Sequence, residues 1–198
     1  MPSLQAMASL ICLVLDQKLK PLNSTIQIQY FKSPLGELIL GSFQDQLCLC
    51  DWRYRKMRAQ IDNRIQKGLQ AYFEESSSVI IEETKKQLSD YFKGKIQNFD
   101  LPILFVGSDF QKLVWQALLQ IPFGKTESYL GLAKRLENEK AIRAVASANG
   151  ANAISIIVPC HRIIGSDGSL VGYAGGLPAK KKLLELEGAI NQQQLELF

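Results

Sequence analysis

Apolar side chains change their spacing part-way along this chain, and that change constrains the fold more than any other feature. Over Ile26–Phe31, Leu38–Ser42 and Leu47–Trp52 they run in short alternating or continuous stretches, the pattern of strands. Ser33-Pro34-Leu35-Gly36 and Gln44-Asp45-Gln46 break these stretches, so a meander of antiparallel strands is predicted. Beyond Ser108 or Asp109, a good N-cap, the spacing turns helical. Phe110, Val114, Trp115, Leu118 and Leu119 recur on one face until Pro122 and Gly124. The chain therefore reads as an α/β protein in two domains. Residues 25–104 form the first and 105–191 the second, with an extension over 1–24 and a tail over 192–198.

Between these landmarks the pattern is less regular. Residues 55–77 are polar and read as a helix and a loop that ends at Ser76-Ser77-Ser78. Glu82–Lys93 is predicted as a helix, with Leu88, Tyr91 and Phe92 on one side and Gly94 as its stop. Pro102 makes 98–106 a linker. Tyr129–Leu136 and Glu139–Ala148 are two short helical patterns separated by Glu137-Asn138. Their spacing fits a helix-turn-helix, and equally an ordinary packing hairpin.

Composition excludes several classes. Of 198 residues, 46% are hydrophobic and 21% charged, which rules out disorder, collagen and a disulfide-stapled miniprotein. The longest apolar candidate, Met7–Leu15, is short of a membrane span and no Lys or Arg precedes it, so a cytosolic or nuclear protein is expected, cytoplasmic in the first instance. The net charge of +4 permits a polyanionic partner without demanding one. Cys48 and Cys50, two apart in a strand, are expected on one face. With four cysteines, a single histidine (His161) and no CxxC pair, no metal site is expected.

Ala153–Val158 reads as a buried strand, and it runs into Pro159-Cys160-His161-Arg162. A strand that meets Pro cannot continue its ladder, so Cys160 is expected where the chain leaves a sheet. A thiol at its ordinary pKa is only a few per cent ionised at neutral pH. His161 offers a base, and Arg162 or a helix N-terminus offers positive potential. Neighbours in extended chain point apart, so a water rather than direct contact is expected to link Cys160 with His161. Taken alone, such a pair is more often a buried small side chain beside a satisfied polar one.

The wider set of residues resembles the O6-alkylguanine-DNA alkyltransferases. Val158-Pro159-Cys160-His161-Arg162-Ile163-Ile164 resembles the family signature around its alkyl-accepting cysteine. Phe110-Gln111, Val114-Trp115, Ile121-Pro122-Phe123-Gly124, Ser128-Tyr129, Arg143-Ala144-Val145, Asn152, Gly172-Tyr173-Ala174-Gly175-Gly176-Leu177 and Leu186-Glu187-Gly188 fall at the family's spacing. The resemblance is strong over about 83–188, weaker over 26–82 and absent over 1–24.

That resemblance implies an RNase-H-like N-terminal domain and a helical C-terminal domain with a winged helix-turn-helix. It implies that Cys160 takes the alkyl group from O6 of guanine, and less efficiently from O4 of thymine, once and irreversibly. Glu187 would orient His161, and His161 would draw the Cys160 proton through a water. Tyr129 would donate toward the base, Asn152 would fix the turn before the active site, and the carbonyls of Cys160 and Ile163 would accept from the guanine amino group. Tyr173 and Ala174 complete the base pocket, the Ala174 amide approaching O6. Ser128, Tyr129, Arg143 and Ala144 would meet double-stranded alkylated DNA in the minor groove. Arg143 would fill the stack vacated by a flipped guanine.

No cofactor is implied, and the protein is expected to act as a monomer away from membranes. Two departures stand out: Ala153 follows Asn152 where the family commonly has Pro, and Ala146 replaces a frequent Gly. Two rival readings use the same residues. One is a thiol hydrolase on Cys160 and His161, and the other is a DNA-binding module that recognises lesions and recruits other proteins.

Overall fold

The computed structural model describes residues 24–190. The extension, with Met7–Leu15 and Cys12, and the tail lie outside the described residues, apart from Ser24, where the first strand begins. The meander forms as the alternation requires. β1 (Ser24–Ser33) pairs antiparallel with β2 (Gly36–Phe43), and β2 with β3 (Gln46–Trp52). Gln44 and Asp45 both take positive φ in the tight turn between β2 and β3, the conformation whose twist matches the flanking strands. A helix, α1 (Arg58–Leu69), then carries the chain across to β4 (Ala71–Glu75), which lies parallel to β1 and completes a mixed sheet of order β3-β2-β1-β4. Residues 55–77 thus hold a strand where a loop was expected. The sequence Ala-Tyr-Phe-Glu-Glu buries only Ala71, so an edge strand of this kind leaves no apolar alternation to read.

Cys48 and Cys50 do not share a face. The register shifts between Gly41 and Ser42, which pair with Leu49 and Leu47. Cys48 is the extra residue of a β-bulge, and a bulge resets the two-residue period. Cys48 consequently joins Ile26, Ile28, Ile61 and Ile65 in the smaller core, beneath α1. Cys50 joins Leu38 and Leu40 in the larger core on the opposite face.

That larger core binds the two parts of the chain together. α2 (Val79–Phe92), capped by the Ser78 side chain, brings Ile81, Leu88 and Tyr91 to it. The cap starts the helix three residues before the expected Glu82. α3 (Asp109–Leu119) opens with a full capping box between Ser108 and Gln111 and brings Val114, Trp115 and Leu118. α4 (Tyr129–Arg135) and α5 (Ile142–Gly150) follow, then α6 (Gly176–Leu186). The Trp115 indole donates to the Ala148 carbonyl at 2.8 Å and locks α3 against α5. Two residues each from β5 (Glu127–Ser128) and β6 (Ile163–Ile164) pair in parallel beside these helices.

The free edge of β3 is covered by two later segments. Leu47 exchanges backbone hydrogen bonds with Pro102 and Leu104, and Cys50 does so with Ala153 and Ser155. The second contact docks the region of Cys160 on the sheet. It is a single bridge and not the expected strand over 153–158. Beyond it the chain folds on itself: Ile157 N–H donates to Ser155 O across Ile156, whose φ is +72°. The isoleucines there report burial, which strands and buried turns share.

Candidate active site

The site grows out of the turn that follows α5. Asn152 is buried, and its side chain ties that turn together. Its Oδ1 accepts from Ile154 N–H at 2.9 Å, and its Nδ2 donates to Val158 O at 3.0 Å and Cys160 Sγ at 3.2 Å. Pro159 (φ −81°, ψ 58°) closes a three-residue turn in which Cys160 N–H donates to Val158 O at 2.8 Å. Ile156, β-branched and at positive φ, is a strained residue two positions past the β3 contact, a type of strain that clusters at functional sites. Cys160 then starts a short 3-10 turn, Cys160–Arg162, rather than ending a strand.

Cys160 is 4% exposed. Burial, and to a lesser extent the Asp51 charge, raise its thiol pKa, and the Asn152 amide, Lys180 and Arg55 pull in the opposite direction without overcoming them. Arg162, expected as a source of positive potential for the thiol, faces the other way. It donates to the Ile121 carbonyl at 2.5 Å and to Glu187 at 2.8 Å and 3.0 Å. The motif's arginine is spoken for by a carboxylate behind the histidine.

Glu187, the C-cap of α6, gathers several donors. Its Oε1 accepts from Tyr91 Oη at 2.8 Å and from Arg162, and lies 2.9 Å from His161 Nε2. Its Oε2 accepts from Arg162 Nε and from the Gly124 amide. Burial pushes this carboxyl up, but donation from His161 and Arg162 outweighs it and brings the pKa down to about 2. Against an ionised Glu187, His161 Nε2 must carry the proton and donate it. The buried Nδ1 has no partner among the described residues, so its lone pair is free. Burial lowers the imidazole pKa, with Glu187 opposing, so the ring is neutral at pH 7. A neutral imidazole with an oriented tautomer is a proton acceptor by construction.

The structure brings Cys160, Asn152, Tyr129, Tyr173 and Ala174 to the wall of one cavity of about 840 Å³. His161, Glu187 and Ile163 lie buried behind that wall. Ser128 caps α4 by accepting from the Gly131 amide at 2.9 Å, and this sets Tyr129 at the first helical position. Burial and the nearby Cys160 both raise the Tyr129 phenol pKa, which keeps it a donor. Arg143 and Ala144 are exposed on α5, away from the lining, while Ala146, Asn149 and Gly150 of the same helix reach the cavity.

Three contributors escape a reading of the sequence. Lys180 is wholly buried and donates to Val171 O at 2.6 Å and also to Ile163 O. With no carboxylate beside it, burial lowers its pKa to about 8. The available signal was its place on the apolar stripe Ala179, Leu183 and Leu184 of α6. Tyr91 was assigned only to a helix face. Asp51, fully buried in β3, was not singled out at all. It accepts from Arg55 at 2.6 Å, Arg58 at 3.0 Å and Ser155 Oγ at 3.0 Å. Arg55 in turn donates to the carbonyls of Gly150 and Asn152, and Arg64 to that of Ala151. The N-terminal part thus grips the turn that carries Asn152.

Comparison with known proteins places this geometry. Residues 109–189 match the family described as 6-O-methylguanine DNA methyltransferase, DNA binding domain. A methylated-DNA–protein-cysteine methyltransferase of Methanosarcina acetivorans is 41% identical over 80% of this chain and 96% of the relative. One of Mycobacterium leprae is 41% identical over 87% of this chain and 99% of the relative. The chain belongs to the methylated-DNA–protein-cysteine methyltransferase family. Among solved structures, Mycobacterium tuberculosis OGT in complex with DNA superposes with a TM-score of 0.69 at 36% identity, covering 83% of this chain and 93% of that one. The family's α/β architecture, a mixed sheet followed by a helical C-terminal part, is the one described above. Among the described residues no helix is long and apolar enough to cross a membrane.

Proposed function

We propose that this protein repairs DNA by moving the alkyl group of O6-alkylguanine, and more slowly of O4-alkylthymine, onto Cys160. The observation that carries this reading is a buried thiol at a cavity wall, with an Asn152 amide on its sulfur and a neutral, carboxylate-oriented His161 behind it.

The chemistry follows from these groups. His161 Nδ1 takes the Cys160 proton through a water, and the resulting thiolate attacks the alkyl carbon in line with the C–O6 bond. The S–C bond forms as the C–O6 bond breaks, and the electron pair leaves with guanine. The Tyr129 phenol, held protonated, donates to the departing base, and the Ala174 amide faces O6, so that charge is met as it develops. The carbonyls of Cys160 and Ile163 accept from the guanine amino group. Lys180 occupies one lone pair of Ile163 O and leaves the other for the base. A thioether is a stable product with no route back to thiol here, so each molecule acts once and needs no cofactor.

Reaching a base inside a duplex requires flipping it, at a cost of a few kcal/mol. The exposed face of α5 carries Arg143, Ala144 and Ser147, two of them small enough for a minor groove to close over. Arg143 enters the stack in place of the flipped guanine, and Ser128 and Tyr129, at the start of α4, meet the DNA beside it. On this reading α4 and α5 are a helix-turn-helix, and the turn between β6 and α6 is its wing. Residues 25–104 form an RNase-H-like domain and 105–191 the DNA-binding and alkyl-accepting domain, and the protein works as a monomer.

Intact-protein mass spectrometry after incubation with duplex DNA containing O6-methylguanine tests the reading. One methyl-sized gain per molecule, mapped to Cys160, is expected. Lesion binding without a gain would instead indicate a recognition module, and loss of the lesion by unmodified protein would indicate turnover.

A further inference from the structure

A nucleotide that leaves the base stack stays joined to both of its neighbours, so the sugar-phosphate backbone must cross the mouth of the pocket that receives the base. On the reading above, α5 lies in the minor groove beside that mouth. An α-helix with its side chains is about 10–12 Å across, whereas a minor groove is only about 6 Å wide, so phosphates crowd both flanks of a helix seated there. Ala146, Asn149 and Gly150 of α5 line the cavity, and so do Tyr54 and Lys56, which lie in the turn between β3 and α1. The N-terminal part therefore supplies a rim of its own to the place where the backbone has to pass.

That rim is basic and aromatic. Arg53 and Lys56 are exposed. The Arg53 guanidinium lies 4.3 Å from the centre of the Tyr30 ring and 5.4 Å from that of Tyr54. Tyr54 is 79% exposed, so its ring fills no core, and its contact is with the guanidinium. Glu37 is the one carboxylate paired with this cation, and it accepts from Arg53 Nη1 at 2.5 Å. A guanidinium carries five donors in a fixed fork, so most of them are left for another acceptor. An arginine already ordered by stacking also loses less freedom when it meets a phosphate.

We infer that Arg53, seated between Tyr30 and Tyr54, and Lys56 hold the phosphates of the damaged strand where it crosses the cavity mouth. A single flipped nucleotide is bracketed by two phosphates, and the rim offers two cations. This rests on the DNA-repair reading above. It gives the N-terminal part a second task besides gripping the Asn152 turn: α5 enters the groove, and the N-terminal rim holds the backbone from which the nucleotide has turned out.

The test is the binding of the full chain to a duplex carrying O6-methylguanine, titrated by fluorescence anisotropy at a series of salt concentrations. Every protein in the series carries Cys160→Ala, so that the lesion survives the titration. Each phosphate contact contributes about 0.9 to the slope of log K against log salt, so Arg53→Gln/Lys56→Gln should lose about 1.8. Lys56→Gln alone, which leaves Arg53 and Glu37 paired, should lose about 0.9. Lys67→Gln, an exposed lysine in the last turn of α1, should lose nothing. Neutral methylphosphonates in place of the two phosphates that bracket the lesion should weaken the parent more than the double variant. An unchanged slope in the double variant, an equal loss in Lys67→Gln, or equal weakening of parent and double variant by the neutral linkages would overturn the grip and leave the alkyl-transfer reading intact. A parent that does not bind the lesion duplex at all would overturn both.

Discussion

Two carboxylates, Asp51 and Glu187, are buried in the two networks that hold the Cys160 region, and they do different work with similar partners. Each is held by arginine: Asp51 by Arg55 and Arg58, Glu187 by Arg162. What differs is the third partner. Glu187 meets the His161 imidazole at 2.9 Å, a group whose proton can move. Asp51 meets the Ser155 hydroxyl at 3.0 Å, a group whose proton does not leave near neutral pH. The first carboxylate therefore selects a tautomer, and the second selects a backbone path. Its arginine reaches on to the carbonyls of Gly150 and Asn152. A buried ion pair reveals little by itself; the neutral group it touches decides what it is for.

The largest expected effect leaves both carboxylates untouched. Cys160→Ala should abolish transfer and retain lesion binding within a few-fold, checked by mass spectrometry and by a DNA-binding titration. Glu187→Gln comes next. An amide nitrogen facing Nε2 reverses the tautomer, so Nδ1 no longer accepts, and the transfer rate should fall about 10³-fold. The pH profile separates this from mere destabilisation. With Glu187 intact, the rate should climb only until His161 is neutral, below its ordinary 6.5, and then level off. In Glu187→Gln it should keep rising about tenfold per pH unit into the alkaline range, as a thiol of raised pKa ionises on its own.

Stability gives an independent check with a definite sign. The Glu187 carboxyl is lower in the folded chain, about 2 against 4.5, so its contribution is present in full above pH 4.5. It is lost as pH falls from there through 2, and amounts to about 3 kcal/mol. Denaturant midpoints between pH 6 and pH 2 should show that loss in the parent protein and not in Glu187→Gln.

Arg143→Ala tests a residue outside both carboxylate networks. Transfer from duplex DNA should fall about a hundredfold, in keeping with a flipping cost of a few kcal/mol, while reaction with free O6-benzylguanine is unchanged. Equal loss in both assays would remove Arg143 from the flipping step.

The two carboxylates were unequally legible in the sequence, for a physical reason. Glu187 came with Cys160, His161, Asn152 and Tyr129, an ordered set of chemistry-bearing residues with recognisable spacing, and the β1–β3 meander and the Ser108 cap followed from local rules. Asp51 looked like any polar residue in a strand. Its meaning lies in Ser155, 104 positions away, and in the Asn152 carbonyl that Arg55 reaches, and no local pattern encodes such a pairing. β4 was missed because a polar edge strand shows no alternation. The 153–158 segment was misread because isoleucine records burial, and its turn depends on the Asn152 side chain. Lys180 was missed because a lysine on an apolar stripe is usually read as a side chain that reaches out to water.

The smallest effect is the one that probes Asp51 most cleanly. Asp51→Asn would leave Arg55 uncompensated in the interior, while Arg58 keeps Asp62, and cost about 3–5 kcal/mol, which confounds geometry with stability. Ser155→Ala removes only the hydroxyl that reaches Asp51 Oδ1, and should cost about 1 kcal/mol in chemical denaturation. If Asp51 acts through the backbone path, the transfer rate should drop about threefold, and the pH profile should keep its shape, because Ser155→Ala leaves the Asp51 charge, which helps to raise the Cys160 thiol, in place. A shifted profile would mean that the Ser155 hydroxyl tunes the ionisation of Cys160 through Asp51, and the division of labour between the two carboxylates would fail. An unchanged rate alongside the stability loss would confine Asp51 to holding the two parts of the chain together.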